Sequence, residues 1–193
     1  MDAKKAGSIL ILTVVFFFVA GLSCGAFSER LLEQEAFQTA AGYIRGMQQP
    51  AMEAAAPFWE LALESFLHNA LLLMVAAAGA FSVAGFPLVF AVLLFKGACL
   101  GFTLALMAEV MEAGPFLKAA VFLLPQNLIV IPALLVFCIA GLCFSFQILG
   151  EGGKRGRRLL YRRGAGGLFL CFLLSAAALG AGAVTEAFFA GLS

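Results

Sequence analysis

AAVFLLPQNLIVIPALLVFCIAGLCFSFQIL, residues 119–149, is a run of 31 residues without a charge, interrupted by Pro125, Gln126, Asn127 and Pro132. A membrane span needs about 20 apolar residues. As one helix the run would reach about 46 Å at ~1.5 Å per residue, well past a hydrocarbon core of ~30 Å. Proline removes a backbone donor and clashes with the preceding turn. The stretch therefore predicts a tilted, broken or re-entrant segment. A break is expected at residues 124–127, with the spanning helix running from there to about residue 149 and residues 116–124 at or dipping into the outer interface. Freed backbone groups at membrane depth must be buried in protein or line a wet cavity. The segment is thus the expected centre of what the chain does in the membrane.

Working outward, the composition agrees. Of the 193 residues, 63% are hydrophobic and 12% charged, and the mean hydropathy is +1.04, far from soluble domains. The fold class expected is all-α: a polytopic membrane protein with spans at about residues 8–27, 66–84, 88–107, 128–149 and 166–189. Six crossings are the alternative if the interrupted segment crosses twice. The first span follows Lys4 and Lys5; its apolar run is longer than a signal-peptide core, so cleavage is not expected. The short Gly85-Phe86-Pro87 connection requires spans two and three to return antiparallel. The cysteines fall in apolar segments without metal-ligand spacing and read as small buried residues.

Lys and Arg placement sets orientation. With a cytoplasmic N-terminus the inside holds Lys4, Lys5, Lys154, Arg155, Arg157, Arg158, Arg162 and Arg163, against Arg30, Arg45 and Lys118 outside, as the positive-inside rule requires. The C-terminus is then extracytoplasmic. The polar stretch of residues 28–65 becomes an outer helical hairpin. Leu32, Ala36, Ala40, Tyr43 and Met47 recur at helical spacing opposite Glu33, Gln34, Gln38 and Arg45. Gln48-Gln49-Pro50 breaks this helix, and Pro57 suits the first turn of the next. Trp59 sits where an interfacial anchor belongs.

Polar residues within the spans are the candidates for chemistry. Lys96 is a full charge placed inside an apolar span. Such a charge costs roughly 2.5–3.5 kcal/mol at the bilayer centre on insertion scales and is a functional hypothesis by default. The bland reading is snorkelling to the headgroups. The expected partners are the amides of Gln126 and Asn127 or carbonyls near Pro132. Asn69 reads as a hydrogen bond to a neighbouring helix. Gly97 and Gly101 form a G-x-x-x-G for close helix approach, within the chain or across a homodimer, with self-association expected there. The Ala178, Gly180 and Gly182 face is a second such surface. Glu60, Glu64 and His68 share a helix face but read as solvated rather than metal-binding. Residues 154–163, KRGRRLLYRR, should form a cytoplasmic basic loop whose Lys154, Arg155, Arg157, Arg158, Arg162 and Arg163 attract anionic lipid; nucleic acid is not needed to explain them. Nucleotide loops, nucleophile elbows and zinc signatures are missing, so neither an enzyme nor a cofactor is expected.

Three stretches together resemble a known family. Asn69 leads into an alanine-rich span with Gly79 and Gly85-Phe86-Pro87; FKGACLGF follows at residues 95–102; LPQNLIVIPALL lies at residues 124–135. In this order they are similar to stage II sporulation protein M. The resemblance implies a five-span membrane protein of endospore-forming bacteria, acting in engulfment at the sporulation septum. It also implies a scaffold without a catalytic site of its own, which holds two peptidoglycan-degrading partners, the D and P proteins. Glu29, Glu33, Glu60 and Glu64 on the outer helices are then the expected docking surface. Two other readings stand beside it. A small transporter or channel would use the interrupted segment and Lys96 to line a continuous polar path. A permease-like subunit would use the basic loop to meet a cytoplasmic ATPase.

Overall fold

The computed structural model describes residues 3–46, 58–82, 85–150 and 154–190. The helices are α1 (Ala3–Ser28), a 3-10 turn at Glu29–Leu31, α2 (Gln34–Gly46), α3 (Phe58–Phe81), α4 (Phe86–Val110), α5 (Ala113–Gly150) and α6 (Lys154–Ala190). Among the described residues, five segments are long and apolar enough to cross a membrane: Gly7–Leu31, Phe58–Phe81, Phe86–Val110, Gln126–Gly150 and Tyr161–Phe188. The five-span all-α class expected from the sequence is what the chain adopts. The Gln48-Gln49-Pro50 break and the Pro57 helix start lie outside the described residues, as does part of the outer hairpin.

Connections and contacts fix how the helices run. Gly79 and Gly85 approach backbone to backbone where α3 turns into α4, and a Cβ on either would overlap the other. Pro87 occupies the first turn of α4, where its missing N–H costs nothing. Phe17 stacks on Phe90 with ring centroids 4.4 Å apart, and further along Gly25 meets Ala98. The register advances together on both helices, so α1 and α4 are parallel. Gln126 meets Ser65 and Ser145 meets the Ala80 carbonyl, which makes α5 parallel to α3. Phe144 near Tyr161 and Ala133 near Ser175 make α6 antiparallel to α5. This is the up-and-down order of five crossings. The shared core is apolar: Val14, Leu73, Ala80, Leu93, Phe137, Leu142 and Leu179 are each almost fully enclosed.

Two expectations need correcting. The fourth span is not broken: α5 is helical from Ala113 to Gly150, through both Pro125 and Pro132. Each proline removes one bond of the ladder, and a membrane helix tolerates that loss where neighbouring helices hold it. Here side-chain bonds pin α5 on either side of Pro132, Gln126 to Ser65 on α3 and Ser175 of α6 to the Ala133 carbonyl. Among the described residues the candidate span of this helix covers Gln126–Gly150, and Ala113, Gly114, Pro115 and Leu117 in the first turns of α5 are exposed. Second, residues 154–163 are not a loop but the opening turns of α6.

The seam between α1 and α4 accounts for the glycines. Gly21, Gly25, Gly97 and Gly101 are all buried. A Cβ on Gly97 would overlap the Phe18 carbonyl and one on Gly101 the Leu22 carbonyl, while Gly21 and Gly25 face the Leu94 and Ala98 carbonyls in the same way. Two G-x-x-x-G surfaces interlock. The glycines assigned to self-association from sequence are therefore used inside the chain. The other small-residue face is also occupied, since a Cβ on Gly182 would run into Val130 of α5.

Candidate functional site

The seam sets the rotation of α4. With Gly97 and Gly101 turned to α1, Lys96 is one residue, about 100°, round the helix and faces α3. Its Nζ donates to Asn69 Oδ1 at 2.7 Å. The Asn69 amide is oriented by its other end, because Nδ2 donates to the Ser65 carbonyl at 3.0 Å. Flipping it would set an NH2 group against an ammonium, so the network itself assigns the oxygen. Asn69 is buried, 6% exposed, and a buried amide without partners would be costly. The pair satisfies both groups.

Ser65 is used twice. Its carbonyl receives Asn69, and its hydroxyl accepts from Gln126 Nε2 at 2.6 Å. Gln126 is also buried, so the start of the α5 crossing is tied to α3. Three helices thus meet through Lys96, Asn69, Ser65 and Gln126. Glu186 of α6 is a partly buried carboxylate in the last span. Its Oε2 is enclosed and accepts no hydrogen bond.

The structure rearranges the expected partnerships. Lys96 and Asn69, singled out separately, are each other's partner. Gln126 joins them only through Ser65. Asn127 does not take part; its Nδ2 turns back to the Leu123 carbonyl of its own helix at 2.9 Å. Pro132 is exposed, and Pro125 lies within the α5 helix. Ser65 and Glu186 were missed. Glu186 left a signal, being the sole charge after Arg163. Ser65 left none, since serine is common at span ends.

The remaining candidates lie at the two ends of the bundle. At one end, Glu29 is half-buried in the 3-10 turn, Glu33 is exposed between that turn and α2, and Glu60 and Glu64 are exposed on the first two turns of α3. His68 is exposed below them, and no group of three or more metal-ligating side chains occurs among the described residues. The apolar side of α2 is clamped down: Ile44 packs with Leu106 and Met107 of α4, flanked by Phe37, Ala40 and Phe116. At the opposite end Arg158, Arg162 and Arg163 are exposed on α6. Lys154, Arg155 and Arg157 precede them on the same helix, with side chains outside the described set.

A sequence model of the family described as stage II sporulation protein M matches residues 5–190. No curated protein and no solved structure matches the chain.

Proposed function

The chain belongs to the stage II sporulation protein M family, and from that premise we propose that it is a non-catalytic scaffold of engulfment. In this reading it holds peptidoglycan-degrading partners, the D and P proteins, at the septal membrane. It is a sporulation-related, multi-pass membrane protein; the scaffold role, the partners and the septal location are the reading argued here. The observation that carries it is the mounting of α2. A connector between two spans needs no packing, yet Phe37, Ala40 and Ile44 are docked on Leu106, Met107 and Phe116, and Ala41 is fully enclosed. The outward side of the same helix keeps Glu35, Gln38, Thr39 and Tyr43 exposed, with Glu33 beside it. That is a docked platform with Glu33 and Glu35 at its start and Arg45 near its end, at the same end of the bundle as Glu29, Glu60 and Glu64. Charge of one sign steers an oppositely charged partner and selects it more than it tightens it.

The orientation proposed puts this platform outside and the α6 arginines inside, following the positive-inside rule. The wall-cutting partners work outside, so the platform is on the side of their substrate. Transport is less well supported: the polar cluster gives way towards the basic end to Leu73, Ala76, Ala80, Val89, Leu93, Leu134, Phe137 and Leu142, all buried apolar. A polar path would have to cross that layer. Reversing Glu29, Glu33 and Glu60 to Lys is expected to displace the wall-cutting partner from the septum while protein level and insertion stay unchanged. A partner still at the septum with the triple variant places docking in the spans and removes the platform's role.

A further inference from the structure

The outward side of α3 is unlike the other outward sides of the bundle. Glu60, Glu64, Leu67, Leu71, Met74 and Ala78 are all exposed and follow one another at alternating steps of four and three. That is the a/d spacing of a left-handed helix pair. His68 is exposed on the edge of the same stripe. Counting about 20 residues of hydrocarbon core back from Phe81, where α3 ends, puts His68 roughly 9 Å inside the core at ~1.5 Å per residue. Its neighbour Asn69 bonds Lys96, near the middle of α4, which agrees with that depth. Ionisable side chains in spans almost always face the bundle interior or a water-filled cavity. Here neither Glu64 nor His68 has a hydrogen bond or ion pair among the described residues, not even with each other one turn away. The exposed sides of α1 and α6 are instead apolar at mid-span, with Leu12, Phe16, Val19, Leu170, Leu173 and Leu174.

We propose that this side of α3 pairs with α3 of a second copy of the chain, Glu64 of each copy accepting a hydrogen bond from His68 of the other. The occupant follows from the chemistry of the stripe. It offers an acceptor and a donor one turn apart, and an imidazole has an N–H to donate in either protonation state. Both copies insert the same way, so the two-fold axis runs along the membrane normal and the two α3 helices are parallel. A two-fold repeats each contact, so two Glu64 and two His68 satisfy one another with no group left over. A span of other chemistry would have to bring both a donor for Glu64 and an acceptor for His68. Deeper in, Leu71 and Met74 pack against their equivalents, while Glu60 stays near headgroup depth. Gly97 and Gly101, expected from sequence to carry self-association, are filled by α1; the α3 stripe is open. This pairing does not depend on the scaffold reading.

Purified full chain in liposomes tests this, because any linked product there joins copy to copy. A photoreactive benzoylphenylalanine in place of Leu71 should give a cross-linked dimer. The same group in place of Leu173, on the exposed side of α6, should not. His68→Leu and Glu64→Leu each remove both reciprocal bonds, and each should lower the yield from position 71 several-fold. Mixing the two variants, each with its own tag, restores one of the two bonds in the mixed pair alone. Mixed dimers should therefore link more than dimers of either variant. Both substitutions place an apolar side chain at an exposed position, and the comparison of positions 71 and 173 needs neither. Equal yields at those two positions, or mixed dimers no more abundant than the others, overturn the proposal. The first result leaves α3 facing lipid or the span of another protein, and the second removes the Glu64–His68 exchange.

Discussion

The α1–α4 seam and the junction of α3, α4 and α5 hold the same helix, α4, by opposite means. At the seam four glycines remove side chains so that backbones touch. At the junction Lys96, Asn69, Ser65 and Gln126 keep helices together through directed hydrogen bonds. In lipid there is no hydrophobic drive between helices, so association must come from packing or from polar bonds. This chain uses packing where it needs closeness and polar bonds where it needs register. Lys96 and Gly97 are adjacent in sequence, and one turn of α4 serves both.

The largest expected effect tests the seam. Gly97→Leu and Gly101→Leu each force a side chain into the carbonyls of Phe18 and Leu22. Overpacking a fitted core costs about 1–3 kcal/mol per site, occasionally more, and a backbone neighbour cannot move aside as a side chain can. Thermal unfolding of the detergent-solubilised protein should show both variants strongly destabilised, with Gly21→Leu alike. If the glycines served self-association alone, the variants would remain folded and lose only cross-linking between copies.

A smaller effect tests the junction. Asn69→Leu leaves the Lys96 ammonium without its acceptor, and stranding such a group costs roughly 1–3 kcal/mol or more. Replacing both partners, Asn69→Leu with Lys96→Leu, removes the stranded charge and should restore most of that stability. Melting temperatures of the two singles and the double decide this. A double variant worse than either single would show that the pair contributes more than mutual satisfaction.

How much of this was legible in the sequence differs between the two regions. The seam was half visible: Gly97 and Gly101 announce a close approach by their spacing, but spacing does not say to which helix. The partner glycines Gly21 and Gly25 sit in an ordinary apolar run, and only the parallel register with α4 selects them. At the junction each polar residue stood out because lipid penalises it, yet the pairing did not follow. Lys96 and Asn69 are 27 residues apart, and their meeting depends on the α3–α4 turn at Gly79 and Gly85 and on the rotation set by the seam. Span number was legible from hydropathy alone. The state of α5 was not, because proline reports a lost hydrogen bond and says nothing of the neighbours that compensate.

The smallest expected effect concerns that misjudged helix and separates it from both regions. If α5 were broken at its prolines, alanine there would rebuild a helical turn and change the fold. In an unbroken α5, Pro132→Ala returns one backbone donor to the ladder and relieves one clash. Pro132 is exposed, so little packing is lost with its ring. The bonds that hold the helix nearby, Ser175 to the Ala133 carbonyl and Gln126 to Ser65, do not involve the Pro132 side chain. A substitution away from core, caps and networks usually stays within about 0.5 kcal/mol, and the restored donor acts in the stabilising direction. Pro132→Ala should therefore leave the helical circular dichroism unchanged and the melting temperature equal or slightly raised. A clear gain in helicity would mean that α5 is interrupted in the membrane. The two bonds beside Pro132 would then be supporting a break, and α5 would stand apart from both the packed seam and the bonded junction.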